Sequence, residues 1–192
     1  FRRVLFRSPT GVVTISGTLK QNETLTVSNT LSDADGLGTV GYQWYADNVA
    51  VKDATGTSLV LTQAEVGKSI TVTASYTDGQ GTPESVTSAS SVAVANVNDA
   101  PVGVVSISGT LKQNETLTVS NTLSDADGLG TVGYQWYADN VAVKDATGTS
   151  LVLTQAEVGK SITVTASYTD GQGAAESVTS ASSVAVANVN DA

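Results

Sequence analysis

The chain has no cysteine, histidine or methionine among its 192 residues. Disulfides, thiolate or imidazole metal ligands, and cysteine or histidine catalysis are thereby excluded, leaving only oxygen donors for any ion. Proline is scarce at 3 residues, aromatics make up 5 %, and basic residues are the rarer sign, 9 against 18 acids for a net charge of −9. Such a surface repels phosphate backbones and attracts cations, so nucleic acid is not an expected partner. No apolar run reaches about 18 residues, and membrane insertion is not expected. Acids are plentiful but fall in loops with no histidine, cysteine or basic partner to tune them, so the chain is not expected to be an enzyme. A Ser-, Thr-, Gly- and Asn-rich chain without bridges has the composition of a bacterial exported protein.

What is present is repetition. Residues 9–100 and 101–192 align at an offset of 92, with four mismatches: Thr10/Val102, Thr14/Ser106, Thr82/Ala174 and Pro83/Ala175. The period is far longer than that of solenoids, whose units cannot bury a face alone, so each repeat is expected to fold on its own core. Each carries three lysines against nine acids, and the arginines of residues 1–8 offset part of the sum. Residues 1–8 have no counterpart before the second repeat; they are read as a non-repeat tail, a fusion scar or similar artefact, outside the fold.

Along the first repeat the period is two, not 3.6. Val13 and Ile15 start a strand that Gly17 ends, and Leu25 and Val27 alternate with threonine and serine. Val40, Tyr42 and Trp44 share a face, and Trp44 is the natural centre of the core. Short strands follow at 49–51 and 59–61, then a corner at 62–67 with at most one helical turn. Ile70, Val72, Ala74 and Tyr76 alternate with polar residues over the clearest strand of the repeat. A last strand, with Val86, Val92 and Val94 on one parity, is expected to run straight into the next repeat. Seven or eight short strands separated by Asp/Gly turns predict an all-β sandwich.

Four stretches carry a resemblance: Leu31-Ser32-Asp33-Ala34-Asp35-Gly36, Tyr42-Gln43-Trp44, Tyr76-Thr77-Asp78-Gly79 and Val97-Asn98-Asp99-Ala100-Pro101. Together they resemble the tandem immunoglobulin-like or cadherin-like repeats of large bacterial surface adhesins, over both repeats end to end. The resemblance implies two immunoglobulin-like β-sandwich domains joined head to tail by a short linker, with strand B–C and F–G loops at the end where the chain enters each domain. The antibody-type cysteine pair and tyrosine corner are missing, so neither is carried over; Leu25 or Val27 and Val72 are expected under Trp44.

On that topology Asn98 and Asp99 approach Asp125, Asp127 and Asp170, and Glu65 reaches the same joint from the first domain. Acids so placed repel each other unless a cation intervenes, and an all-oxygen donor set suits Ca2+ rather than zinc or copper. Asp33, Asp35 and Asp78 form the equivalent, incomplete site of the first repeat, because residues 1–8 lack an Asn-Asp-Ala-Pro. Ordinary turn chemistry is the competing reading, since Asp caps its own backbone and Gly supplies positive φ. The pattern is no EF-hand: Gly36 follows Asp35 directly, and the twelfth position from Asp33 is Trp44.

Other signals are slighter. Asn22-Glu23-Thr24 and Asn114-Glu115-Thr116 match glycosylation sequons but read as turns. Lys20, Lys52 and Lys68 sit in polar turns unsuited to an isopeptide crosslink. Tyr45 and Tyr137, opposite in parity to the tryptophans, are expected to face outward. The reading that results is a monomeric, extracellular spacer whose partners are neighbouring repeats and whose joint is stiffened by calcium. The alternative is a module that binds a glycan or protein on a sheet face or loop tip, which would show an exposed aromatic or apolar patch.

Overall fold

The computed structural model describes residues 7–190; the tail reading for residues 1–6 lies outside the described residues. Backbone contacts divide the chain into two compact units, Phe1–Val97 and Asn98–Ala192, so Asn98, Asp99 and Ala100 belong with the second unit.

In unit 1 the strands are β1 (Val13–Ser16), β2 (Thr24–Asn29), β3 (Gly41–Ala46), β4 (Val49–Ala50), β5 (Ser58–Val60), β6 (Ile70–Thr77) and β7 (Pro83–Thr87). They form an antiparallel three-stranded sheet, β1-β2-β5, and an antiparallel four-stranded sheet, β4-β3-β6-β7. Each unit is an immunoglobulin-like β-sandwich, and the protein is all-β. Unit 2 repeats the order as β8 (Val105–Ser108), β9 (Thr116–Asn121), β10 (Gly133–Ala138), β11 (Val141–Ala142), β12 (Ser150–Val152), β13 (Ile162–Thr169) and β14 (Ala175–Thr179).

The alternation in β6 works as read: Ile70, Val72, Ala74 and Tyr76 are buried while the intervening residues are partly or fully exposed. Trp44 is fully buried, lies opposite Val72 in the β3–β6 pair, and shares its cluster with Leu25, Leu61 and Ile70. Its indole N–H donates to Gly56 O at 3.0 Å, so the one polar atom of the core's largest side chain is satisfied.

The last strand departs from expectation. It ends at Thr87, and Val92 is 74 % exposed rather than on the core face, although Val94 is buried. The cause is a bulge built from serines. Ser88 N–H donates to Val72 O (2.9 Å) while Ser88 Oγ accepts from Val72 N–H (3.1 Å); Ser91 does the same with Ile70 O (3.0 Å) and N–H (2.8 Å). Residues 88–91 thus advance three steps where β6 advances two, which breaks the parity of the strand. Beyond the bulge the chain changes neighbours. Ala95 joins Lys20 in a parallel bridge, with Gln21 N–H donating to Ala95 O and Ala95 N–H to Leu19 O, both at 2.9 Å.

The corner before β6 is a 3-10 turn, Gln63–Glu65, closed by a capping box. The Thr62 N–H and hydroxyl donate to Glu65 Oε2 at 2.9 and 2.7 Å, and Glu65 is buried. Glu65→Ala strips the Thr62 N–H and hydroxyl of their acceptor and opens the capping box, and is expected to cost about 1–2 kcal/mol, read as a lower Tm of the first unit. Glu65→Gln, which can still accept, should lose less.

Candidate metal centre

The oxygen-bearing side chains of interest in unit 2 come from three places: the β9–β10 loop (Asp125, Asp127), the β13–β14 loop (Asp170), and the chain leading in (Asn98, Asp99). Local backbone chemistry shapes each loop. Asp127 N–H donates to Asp125 Oδ1 at 2.9 Å, and Gly128 follows at φ 99°, a conformation glycine adopts without strain. Asp170 Oδ1 accepts from Gln172 and Ala174 N–H at 2.9 and 2.8 Å. The two loops are stitched together by Gly171 N–H, which lies 3.0 Å from both Asp127 O and Gly128 O.

Asp125, Asp127 and Asp170 each bring a carboxylate oxygen within 4.8 Å of the others; among the described residues no other three acids meet that distance. Asp99 joins through its backbone, donating N–H to Asp127 Oδ2 at 2.7 Å. Asn98 turns its amide to Glu176 Oε1 at 2.7 Å. Asp127 and Asp170 are only 4 % and 6 % exposed.

Asp125 Oδ1 serves its turn and Oδ2 accepts from the Tyr168 hydroxyl at 2.6 Å; Asp127 Oδ2 takes Asp99, and Asp170 Oδ1 takes two loop amides. Asp127 Oδ1 and Asp170 Oδ2 remain enclosed without a hydrogen-bond partner. A buried acceptor left unmatched costs about 1–3 kcal/mol, and more when charged. Turns explain most of these oxygens but not these two, which are hard donors of the kind calcium takes.

In unit 1 the same hydrogen bonds recur. Asp35 N–H donates to Asp33 Oδ1 (2.8 Å), the Tyr76 hydroxyl to Asp33 Oδ2 (2.6 Å), and Gln80 and Thr82 N–H to Asp78 Oδ1 (2.8 and 2.7 Å). Asp78 Oδ2 is enclosed and unmatched, as Asp170 Oδ2 is. Asp35, however, is only half-buried where Asp127 is buried. Glu65 stands in its own corner of unit 1, its Oε2 engaged by Thr62.

Two participants escape a reading of acids alone. Tyr76 and Tyr168 are buried partners of Asp33 and Asp125, and their phenol groups are pushed up from the ordinary value by burial first and by the bond to the carboxylate second. Their signal was the inward parity of Tyr76 two residues before Asp78. Glu176 faces Tyr168 across β13–β14, where register alone places it beside the loop. Tyr45 and Tyr137 are half-buried, and the large exposed apolar side chains among the described residues are valines and leucines rather than aromatics.

No protein-family model matches the chain, and no curated protein is significantly similar to it. Among solved structures it is similar to the fibronectin(III)-like modules of Clostridium thermocellum CbhA, at 18 % identity and TM-score 0.31, over 92 % of this chain and 95 % of that one. It is also similar to the three N-terminal domains of the bacteriophage RB49 Highly Immunogenic Outer Capsid protein (Hoc), at 16 % identity and TM-score 0.31 over 89 % of this chain. The match spans 58 % of the Hoc chain.

Proposed function

We infer that the two units are structural extender modules of a large bacterial cell-surface adhesin, outside the cell, monomeric, and touching chiefly neighbouring repeats of the same chain. Their task is to project a distal binding domain. A calcium ion held by Asp99, Asp125, Asp127 and Asp170 would fix the chain leading into unit 2 to that unit's own loops. The observation that carries this reading is the pair of enclosed, unmatched oxygens, Asp127 Oδ1 and Asp170 Oδ2, within a group of three acids. Near-identity of the repeats, with only four mismatches, also supports it, since a spacer needs number more than individuality.

The test is calorimetry of the full chain in millimolar calcium and in chelator. A ligand that binds only the folded unit at 100 times its Kd adds about 2.7 kcal/mol, which raises Tm by about 10–20 °C in a domain this small. Asp170→Asn keeps the two loop amides supplied with an acceptor but removes a negative charge. It should abolish the calcium response, while in chelator it melts at or above the wild type because the carboxylates repel less. A wild-type Tm indifferent to calcium sinks the reading.

A further inference from the structure

We propose that Asp33, Asp35 and Asp78 are a second, latent cation site in unit 1, and that the residue at position 7 decides whether it fills. This rests on the calcium reading of unit 2. The chain reaches both sites in the same register: Arg7 N–H donates to Asp35 Oδ2 at 2.8 Å, as Asp99 N–H donates to Asp127 Oδ2 at 2.7 Å, and positions 7 and 99 differ by the repeat offset of 92. The backbone bond is therefore the same, and the side chain it carries is not. Where unit 2 starts an aspartate beside the loops, unit 1 starts an arginine.

The remaining parts of the site are in place. Asp78 is 6 % exposed and its Oδ2 is enclosed with no partner, the state of Asp170 Oδ2 in unit 2. The loop that carries it is bonded to the other acid loop, Gly79 N–H lying 3.0 Å from Asp35 O and 3.1 Å from Gly36 O. Tyr76 orients Asp33 as Tyr168 orients Asp125, each at 2.6 Å. What unit 1 lacks is charge. Three acids and one arginine stand where unit 2 has four acids, and exchanging a negative for a positive neighbour penalises a dication twice, by lost attraction and by added repulsion. The oxygens of Asp33, Asp35 and Asp78 do not meet within the 4.8 Å of unit 2.

The experiment is calcium titration of the full chain by calorimetry, with wild type, Arg7→Ala and Arg7→Asp. The substitutions fall on an exposed residue. Wild type is expected to bind one ion in the accessible range, and Arg7→Asp two, the second with an affinity within about tenfold of the first because its ligands then match in kind and register. Arg7→Ala, which only removes the positive charge, should fall between. Asp78→Asn in the Arg7→Asp background should return the count to one, showing that the new ion sits at these loops. One ion in both wild type and Arg7→Asp overturns this inference and leaves the unit 2 reading intact. Two equal ions in the wild type overturn it as well, since residue 7 would then decide nothing. No ion in any variant removes the calcium reading itself.

Discussion

Trp44→Ala is expected to destabilise the first unit severely while the second stands. Replacing a fully buried tryptophan by alanine costs about 3–5 kcal/mol from lost burial and the cavity left behind. Gly56 O loses its indole donor as well. Against a stability of about 0.05–0.15 kcal/mol per residue, a unit of this size loses from about a fifth of its margin to nearly all of it. Its Tm falls by about 12–40 °C. The cores are separate clusters, one around Trp44 and one around Trp136, so a calorimetric scan should show one transition displaced and one unmoved. The chain has two tryptophans, one per unit. Each variant therefore leaves a single reporter in the untouched unit, and Trp136→Ala should give the mirror result. Transitions that move together would show that the cores are not independent.

The second large effect is at a glycine between the acid loop and its strand. At Gly130 a Cβ would lie 1.9 Å from Thr169 O and 3.1 Å from its carbonyl carbon. The obstacle is the backbone at the end of β13, next to Asp170, and no rotamer change relieves it. Gly130→Ala must push the loop holding Asp125 and Asp127 away from the loop holding Asp170. We expect a loss of about 3 kcal/mol from forced separation, and with it a calcium-induced Tm rise that shrinks or disappears. Gly173→Ala is the control: its φ of 94° makes alanine strained, but nothing lies within 4 Å of the added carbon. Its cost should stay near 1–2 kcal/mol, with the calcium response kept. Equal losses at the two positions would show that conformation, not contact between the loops, sets the penalty at Gly130.

How much of this was readable beforehand depends on what each residue announces. Trp44 and the Ile70/Val72/Ala74/Tyr76 series declare their face, because a period of two leaves each strand one core side. The Asp-x-Asp-Gly and Asp-Gly pairs declare loops, and the fold brings those of unit 2 together. Face is not partnership, however. Parity places Tyr168 inward but does not say that its hydroxyl ends on Asp125, nor that Glu176 will hold Asn98. The serine bulge was hidden for a related reason. Ser88 falls on the parity of Val86 and Ser91 on the opposite one, so alternation gives no sign that both hydroxyls replace backbone acceptors of the ladder and shift its register by one. The unmatched oxygens of Asp127 and Asp170 could not be read at all, because they emerge only after every nearby donor has been assigned.

The shift at the bulge also decides how each unit bears a pull on its ends. Past the serines, Ala95 lies beside Lys20 with the two chains running in the same direction, tied by Gln21 N–H to Ala95 O and Ala95 N–H to Leu19 O, with Val97 N–H on Gln21 Oε1 at 3.0 Å. Tension drawn through the leading and trailing chain slides these two segments past each other lengthwise. The bonds are loaded in shear and yield as a set, where a peeled hairpin would release them one by one. Resistance to stretching is a rate, governed by the barrier to unfolding rather than by equilibrium stability. The same clasp recurs in unit 2 at Lys112 and Ala187, so a tether built of such units would hold its length until a whole clasp fails.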